Sequence, residues 1–158
     1  MIESAPNMVN SFILIFKNKI VIVSIISWIT AQSLKVAFGV FREKRFNFKW
    51  FIGTGGMPSS HAAGVMALAT SVGMESGFNS VNFAIVLVFS LIVLFDAQST
   101  RRTIGTQAEI LNKIMDDIYW KKKIEAERLR ELIGHTPVEV FAGSALGIFI
   151  SLLAYVYH

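Results

Sequence analysis

The sequence predicts an all-α integral membrane protein: a four-helix bundle with an amphipathic helical cytoplasmic insertion between helices 3 and 4. Two observations predict this class. Hydrophobic residues make up 53% of the 158-residue chain and charged residues only 16%, whereas an average soluble domain is about 25% charged. The charges are also spaced so that four long stretches carry almost none, and one bilayer crossing needs about 20 mostly apolar residues.

These charge-poor stretches set the limits of the predicted helices. The first holds a single charge, Lys35, and the other three hold none apart from His61. The glycines and Pro58 at the start of the second stretch delay its helix. We therefore predict one membrane domain over residues 1–158, with spans near residues 20–41, 61–74, 81–95 and 140–156.

Small residues indicate how the helices pack. The second predicted helix is short and rich in Ala and Gly, and small residues let membrane helices approach one another closely. We interpret it as the inner helix of the bundle. The last helix carries Gly143 and Gly147 at GxxxG spacing, which indicates a close helix contact.

One long polar segment separates the third and fourth spans. Over residues 107–133 it reads as a polar helical insertion, in which Ile110, Ile114 and Ile118 recur every four residues. Its basic and acidic residues alternate, which is not typical of nucleic-acid or calmodulin-like binding despite the net charge of +4. We expect an amphipathic helix on the membrane surface and no nucleic-acid partner.

The basic residues orient the bundle. Four helices put both termini on one side, which holds Lys17 and Lys19, and the other side holds the remaining 13 of 15 Lys and Arg residues. Because positive residues remain in the cytoplasm, we predict a multi-pass cell membrane protein of the bacterial inner membrane with both termini outside. A chain of this size is also a candidate for homo-oligomer formation.

Ionisable residues from distant parts of the chain fall at the same predicted membrane face. Buried charge is costly in a membrane and usually functional. Lys and Arg suit phosphate binding, two histidines suit a nucleophile and a general acid, and a carboxylate orients one of them. These residues are Lys35, His61, Asp96, Arg101, Arg102, His135 and Glu139.

This set favours transfer of a phosphoryl group to water through a phosphohistidine. A glycine-rich turn, residues 53–58, leads into the second helix, and backbone N–H groups at a helix start favour phosphate. With no cysteine in the chain, disulfides, Cys-ligated zinc, iron–sulfur clusters and cysteine nucleophiles are excluded. We expect no metal and no cofactor, because Lys and Arg can neutralise the developing charge.

Several strings resemble a known family. Pro58-Ser59-Ser60-His61 is similar to the P-S-G-H motif of the type 2 phosphatidic acid phosphatase superfamily, which includes vanadium haloperoxidases, and Lys35 and Arg42 have its K-x6-R spacing. The strings GGMPSSHAA, DAQSTRRTIGTQAEILNK and ELIGHTPVEVFAG resemble the divergent branch of that superfamily over nearly the whole chain.

The resemblance implies a role for each matching residue. His135 becomes the nucleophile, Glu139 the acid that orients it, and His61 the general acid for the leaving group. Phosphate binding falls to Lys35, Arg42, Ser59, Ser60 and Arg101, with Arg102 the alternate to Arg101. Apart from the resemblance, we interpret Asp96 and Gln107 as structural support. The resemblance also implies metal independence and inhibition by vanadate. Because the predicted site lies at the membrane face, we expect a lipid phosphate or diphosphate as substrate.

The chain departs from the superfamily pattern at several positions. Glu43 stands where the first motif has Pro, and Ser60 replaces the Gly of the second motif. The third motif is split: Gln107 occupies the place of its His, which appears only at His135, and Leu129 stands where an Arg should precede it.

Simpler interpretations stand beside these roles. Lys35 alone fits a snorkelling lysine, His61 a helix-start residue, and Arg101 with Arg102 a cytoplasmic anchor. We expect Asp96 to form a salt bridge with an arginine rather than to take part in catalysis. The alternative function is a non-catalytic membrane protein that uses a degenerate site to bind anionic lipid or a protein partner.

Overall fold

Four helices make up the described part of the chain. The computed structural model describes residues 13–44, 56–119 and 135–157. Within these ranges no strand occurs, so the prediction of an all-helical protein is confirmed. One helical turn at residues 13–15 precedes the four helices, which are α1 (Lys19–Glu43), α2 (Ser60–Ser76), α3 (Val81–Tyr119) and α4 (Pro137–Val156).

Side-chain caps fix where three of these helices begin. The Asn18 side chain accepts hydrogen bonds from the first turn of α1, and Ser59 and Thr136 do the same for α2 and α4. Each cap satisfies N–H groups that have no partner within the helix. The first helix ends at Glu43, and the C-cap residue Lys44 adopts the left-handed backbone conformation with φ 50°.

Three of the helices are long and apolar enough to cross a membrane. The qualifying segments are Lys19–Phe41 in α1, Val81–Gln98 in α3 and Pro137–Val156 in α4. They agree with three of the four predicted spans. The fourth, in α2, has 17 residues and is not among the qualifying segments, so a membrane crossing by α2 stays a prediction.

The second helix lies at the centre of the packing and contacts each of the other three, as expected for an inner helix. Its buried residues are mostly Ala, Ser, Gly and Thr. By contrast, only 6% of the apolar segment Val81–Gln98 is buried. The core therefore consists of small side chains around α2, and most large apolar side chains point outward, where a membrane would meet them.

The closest helix contact joins α2 and α4. A Cβ atom on Gly143 would overlap the carbonyl oxygen of Ser59, and one on Gly147 would overlap that of Ala63. One turn further along α4, the hydroxyl of Ser151 lies 2.8 Å from the hydroxyl of Ser71 in α2. This confirms that the GxxxG spacing marks a close contact, and it shows that the partner is the backbone of α2.

The third helix differs from its predicted limits. We expected the span to end near residue 95 and a separate polar helix to begin near residue 107, but the described residues form one helix, Val81–Tyr119. The apolar pattern is interrupted from Asp96 to Gly105. The helix nevertheless continues through these residues. Residues 120–133 of the expected insertion lie outside the described residues.

Candidate functional site

The turn that opens α4 holds a buried histidine against a carboxylate. His135 Nδ1 lies 2.8 Å from Glu139 Oε2, and the His135 side chain is only 2% exposed. His135 directly precedes the N-cap Thr136, and the Glu139 side chain of the first helical turn reaches back to it. With Nδ1 directed to the carboxylate, the imidazole carries its proton on that nitrogen, a tautomer inferred from the contact.

The same carboxylate also caps the helix. Glu139 Oε2 accepts the backbone N–H of Thr136 at 3.3 Å, and Thr136 Oγ1 accepts the backbone N–H of Glu139 at 3.3 Å. This reciprocal pair is a capping box. One oxygen atom of Glu139 therefore fixes both the helix start and the ring of His135.

The start of α2 is hydrogen-bonded to this turn. The backbone N–H of Ser59 donates to the carbonyl oxygen of Glu139 at 3.0 Å, and the side chains of Ser59 and Ser60 are buried. The Ser59 hydroxyl accepts from the N–H of Ala62 at 3.3 Å. The Pro58–His61 segment and the His135–Glu139 turn, which lie 70 or more residues apart in sequence, thus meet directly.

Lys35 of α1 reaches the turn that precedes α2. Gly56 has a positive φ of 91°, and a Cβ atom there would lie 3.1 Å from Lys35 Cγ. Only glycine suits this backbone and this contact. The Lys35 side chain is buried, and its Nζ donates to Gln32 Oε1 at 3.1 Å. The first-motif lysine therefore packs on the second-motif turn.

His61 lies on another side of α2. It is exposed and lines an open cleft with Trp28 of α1 and Gly64 of its own helix. The structure therefore separates the two histidines by environment: His135 is enclosed beside its carboxylate, whereas His61 is accessible from the outside of the helix assembly.

For the remaining predicted site residues, the structure gives either the position of the backbone or the exposure of the side chain. Arg42 falls in the last turn of α1, and Arg101 and Arg102 fall within α3 just beyond its apolar segment. The side chains of these three arginines lie outside the described part of the structure. Asp96 and Gln107 are exposed on α3, and their supporting roles stay predictions.

Two residues at the site, Thr136 and Gln32, are not among the predicted site residues. Thr136 begins a T-x-x-E pattern that is typical of a capping box, so its signal was present in the sequence. Gln32 stands three residues before Lys35 on the same helix face and is the partner of its amine. A long polar side chain one turn from an intramembrane lysine is the signal that could have found it.

The described residues contain no group of three or more His, Asp or Glu side chains that could hold a metal ion. The expectations of no metal and no cofactor stay predictions. The described site combines His135 paired with a carboxylate, a buried lysine and buried serine hydroxyls.

Comparison with known proteins identifies the family. The family model described as "Divergent PAP2 family" matches residues 16–150. The chain is also similar to the uncharacterized membrane protein YuiD of Bacillus subtilis (strain 168), with 40% identity over 144 residues that cover 84% of this chain and 91% of the relative. No solved structure matches the chain. The chain belongs to the divergent PAP2 family.

Proposed function

We propose that this protein is a membrane phosphatase that hydrolyses a lipid phosphate or diphosphate through a phosphohistidine intermediate. The observation that carries the proposal is the buried His135, held at 2.8 Å by Glu139 beside the start of α2. A carboxylate that orients a histidine and stabilises its positive charge is the arrangement a histidine nucleophile needs.

In the first step, His135 Nε2 attacks phosphorus and the bond from phosphorus to the leaving oxygen breaks. His61 donates a proton to that oxygen, so an alcohol or a phosphate leaves. In the second step, water attacks the phosphohistidine, loses a proton to His61 and releases inorganic phosphate. His135 returns to its neutral form with Nδ1–H directed at Glu139, and no metal is needed.

The phosphate is held by cations and by the start of α2. Lys35 packs on the Gly56 turn, and the N–H groups that open a helix attract anions. Ser59 and Ser60 add hydroxyls, and the arginine role falls to Arg42 and to Arg101 or its neighbour Arg102. These donors neutralise the charge that develops on the phosphoryl oxygens.

The position of the site supports a lipid as the substrate. Lys35 belongs to the apolar segment Lys19–Phe41. A phosphate bound by its side chain would therefore lie close to the membrane. The headgroup of an amphiphile can reach the cations while its tail stays in lipid. We place the site at the cytoplasmic leaflet of the bacterial inner membrane, because the basic residues lie mainly at that end.

The test is phosphate release by purified protein from a panel of lipid monophosphates and diphosphates. Wild-type protein is compared with His135→Ala, His61→Ala and an exposed control, Val88→Ala, on the far part of α3. We expect release by wild type and the control, inhibition by vanadate, and loss in both histidine variants. Release that is equal in wild type and His135→Ala would contradict the proposal.

The alternative is a membrane protein that binds an anionic lipid or a protein partner without turnover. Its supporting observation is the split third motif: Gln107, at the place of the motif histidine, is exposed in the middle of α3. Thermal stabilisation by phosphate or vanadate without phosphate release from any substrate would favour this alternative.

The proposed orientation has its own test. A cysteine at Lys44, an exposed residue at the end of α1, and another at Lys121 are labelled in sealed cells with a membrane-impermeant reagent. We expect labelling only after the cells are opened. Labelling from outside intact cells would place the site on the opposite face.

A further inference from the structure

The buried amine of Lys35 is hydrogen-bonded to an amide on its own helix. Lys35 Nζ donates to Gln32 Oε1 at 3.1 Å, and the two residues are each only 7% exposed. A lysine ammonium can only donate hydrogen bonds, so the atom of Gln32 that faces it must be the amide oxygen. The contact therefore determines which way the amide is turned.

The direction of this bond is unusual for a lysine in an apolar helix. Lys35 lies nearer to the Phe41 end of the apolar segment Lys19–Phe41 than to the other end, and Gln32 stands about one turn closer to the middle of that segment. A lysine in such a position normally extends its amine to the nearer interface and stays exposed there. Here the stem of Lys35 packs on Gly56, and its amine is bonded to a residue on the side of the segment's middle. The contact with Gln32 thus holds the amine in the protein interior.

The acceptor of this hydrogen bond carries no charge. The sequence has no Asp or Glu between Lys19 and Arg42, and the group that accepts from the Lys35 amine on α1 is an amide. A carboxylate in place of the amide would cancel the charge of the amine, and a net-neutral pair attracts a phosphate only weakly. The amide satisfies one N–H of the ammonium and leaves its positive charge uncancelled.

Resting on the proposed function, we infer that Gln32 is a positioning residue, which holds the Lys35 ammonium at the Gly56 turn for the phosphate without cancelling its charge. A lysine presents a point charge on a flexible stem with no fixed geometry of its own, so it needs a partner that fixes it. Gln32 acts through Lys35 and need not touch the phosphate. Its removal should therefore matter only while Lys35 is present.

The first experiment measures the binding of orthovanadate, a phosphate analogue, to purified protein in detergent by calorimetry. Gln32→Met removes the acceptor at similar volume, Gln32→Glu keeps an acceptor but cancels the charge, and the exposed neighbour Ser33→Ala is the control. We expect both Gln32 variants to weaken binding by about tenfold or more, and the control to keep the wild-type affinity. Wild-type affinity in either Gln32 variant would overturn the inference.

The second experiment determines whether Gln32 acts through Lys35. The effect of Gln32→Met on orthovanadate binding is measured again in a Lys35→Met background. We expect Lys35→Met alone to weaken binding and the double variant to lose little more, because two residues that act as a unit are not additive. A further loss as large as the loss in the wild-type background would assign Gln32 to the fold alone and contradict the proposed role.

The third experiment requires neither anion binding nor turnover. The purified protein is acetylated with an N-hydroxysuccinimide ester, and the rate at Lys35 is followed by mass spectrometry, with the exposed Lys44 as the internal reference. We expect slow acetylation of Lys35 in wild type and in Gln32→Glu. In Gln32→Met the rate should rise by about tenfold, because the amine has lost the acceptor that keeps it in the interior. Equal rates in wild type and Gln32→Met would show that Gln32 does not hold the amine.

The three experiments distinguish this inference from the phosphatase proposal. If no phosphate ester is hydrolysed but orthovanadate binding depends on Gln32 through Lys35, the phosphatase proposal fails and the inference on Gln32 stands. If hydrolysis occurs while Gln32→Met changes neither binding nor acetylation, the phosphatase proposal stands and the inference fails. Absence of orthovanadate binding by wild-type protein would also overturn the inference, because the amine would then be held for no anion.

Discussion

The two sides of α2 differ in how tightly they are packed. Toward α4, the glycines at 143 and 147 bring backbone against backbone, and no side chain larger than hydrogen fits. Toward α1, Gly64 has room for a methyl group before it meets Trp28. The two sides begin within the same turn of helix, at Ser59 and His61.

The proposed reaction needs both histidines at one phosphate, so the phosphate must lie at the start of α2, where the two sides meet. His135 lies on the tightly packed side with its carboxylate, and His61 is exposed on the open side. The small residues of α2 permit close approach where α4 packs and leave space where α1 does not fill it.

The largest expected effect comes from removing the nucleophile on the packed side. His135→Ala should lower kcat for lipid phosphate hydrolysis by about 10⁴-fold or more, because the covalent route is lost. Phosphate release measured in detergent micelles checks this. A fall of less than tenfold would show that the packed side does not carry the reaction.

The next-largest effect distinguishes two roles of Glu139, which orients His135 and caps the start of α4. Glu139→Gln should lower kcat by about 10²-fold, because a neutral amide no longer stabilises the charged imidazole. Gln is also accepted in a capping box, so the thermal midpoint followed by circular dichroism should change little. A large loss of stability with unchanged activity would assign Glu139 to the fold alone.

Two Gly→Ala variants compare the sides of α2 directly. Gly147→Ala should destabilise the protein by about 1–3 kcal/mol, because the methyl overlaps the carbonyl of Ala63. Gly64→Ala should stabilise it by about 0.5–1 kcal/mol, since Ala is the better helix former and the methyl fits. Unfolding in detergent measures both, and effects of the same sign would contradict the comparison.

The smallest effect concerns the hydroxyl pair at the far end of the packed side. A double-mutant cycle with Ser71→Ala and Ser151→Ala should give a coupling energy of about 0.6 kcal/mol, typical of hydrogen bonds between membrane helices. Thr70→Val is the matched control, because the Thr70 hydroxyl donates within its own helix to Met66. Coupling of Thr70 to Ser151 as large as that of Ser71 would argue against a specific bond.

Much of the fold follows from where the charges are missing. The charge-poor windows place α1, α2 and α4 within three residues of their observed ends, because charged residues are costly in lipid and mostly lie beyond the helix ends. The same criterion fails for α3, whose helix continues to Tyr119. Apolar windows detect the part of a helix that lipid would cover and cannot detect a polar continuation.

Some contacts of the candidate site could be expected from the sequence, but its geometry could not. The pairing of His135 with Glu139 was expected from their four-residue spacing, although His135 precedes the helix that begins at Pro137. The bond from Ser59 to the carbonyl of Glu139 joins two elements 80 residues apart, and no local pattern encodes it. The burial of Gln32 beside Lys35 likewise depends on which face of α1 packs inward.

The continuous third helix sets a distance scale for the whole protein. At about 1.5 Å per residue, its 39 residues extend about 58 Å, nearly twice the roughly 30 Å of bilayer hydrocarbon. Beyond Gln98 it is a rod on the order of 30 Å long, with Arg101 and Arg102 at its base and exposed Ile110 and Ile114 further out. A tilt of this rod would work as a lever, in which a large displacement of its tip becomes a small one at the two arginines.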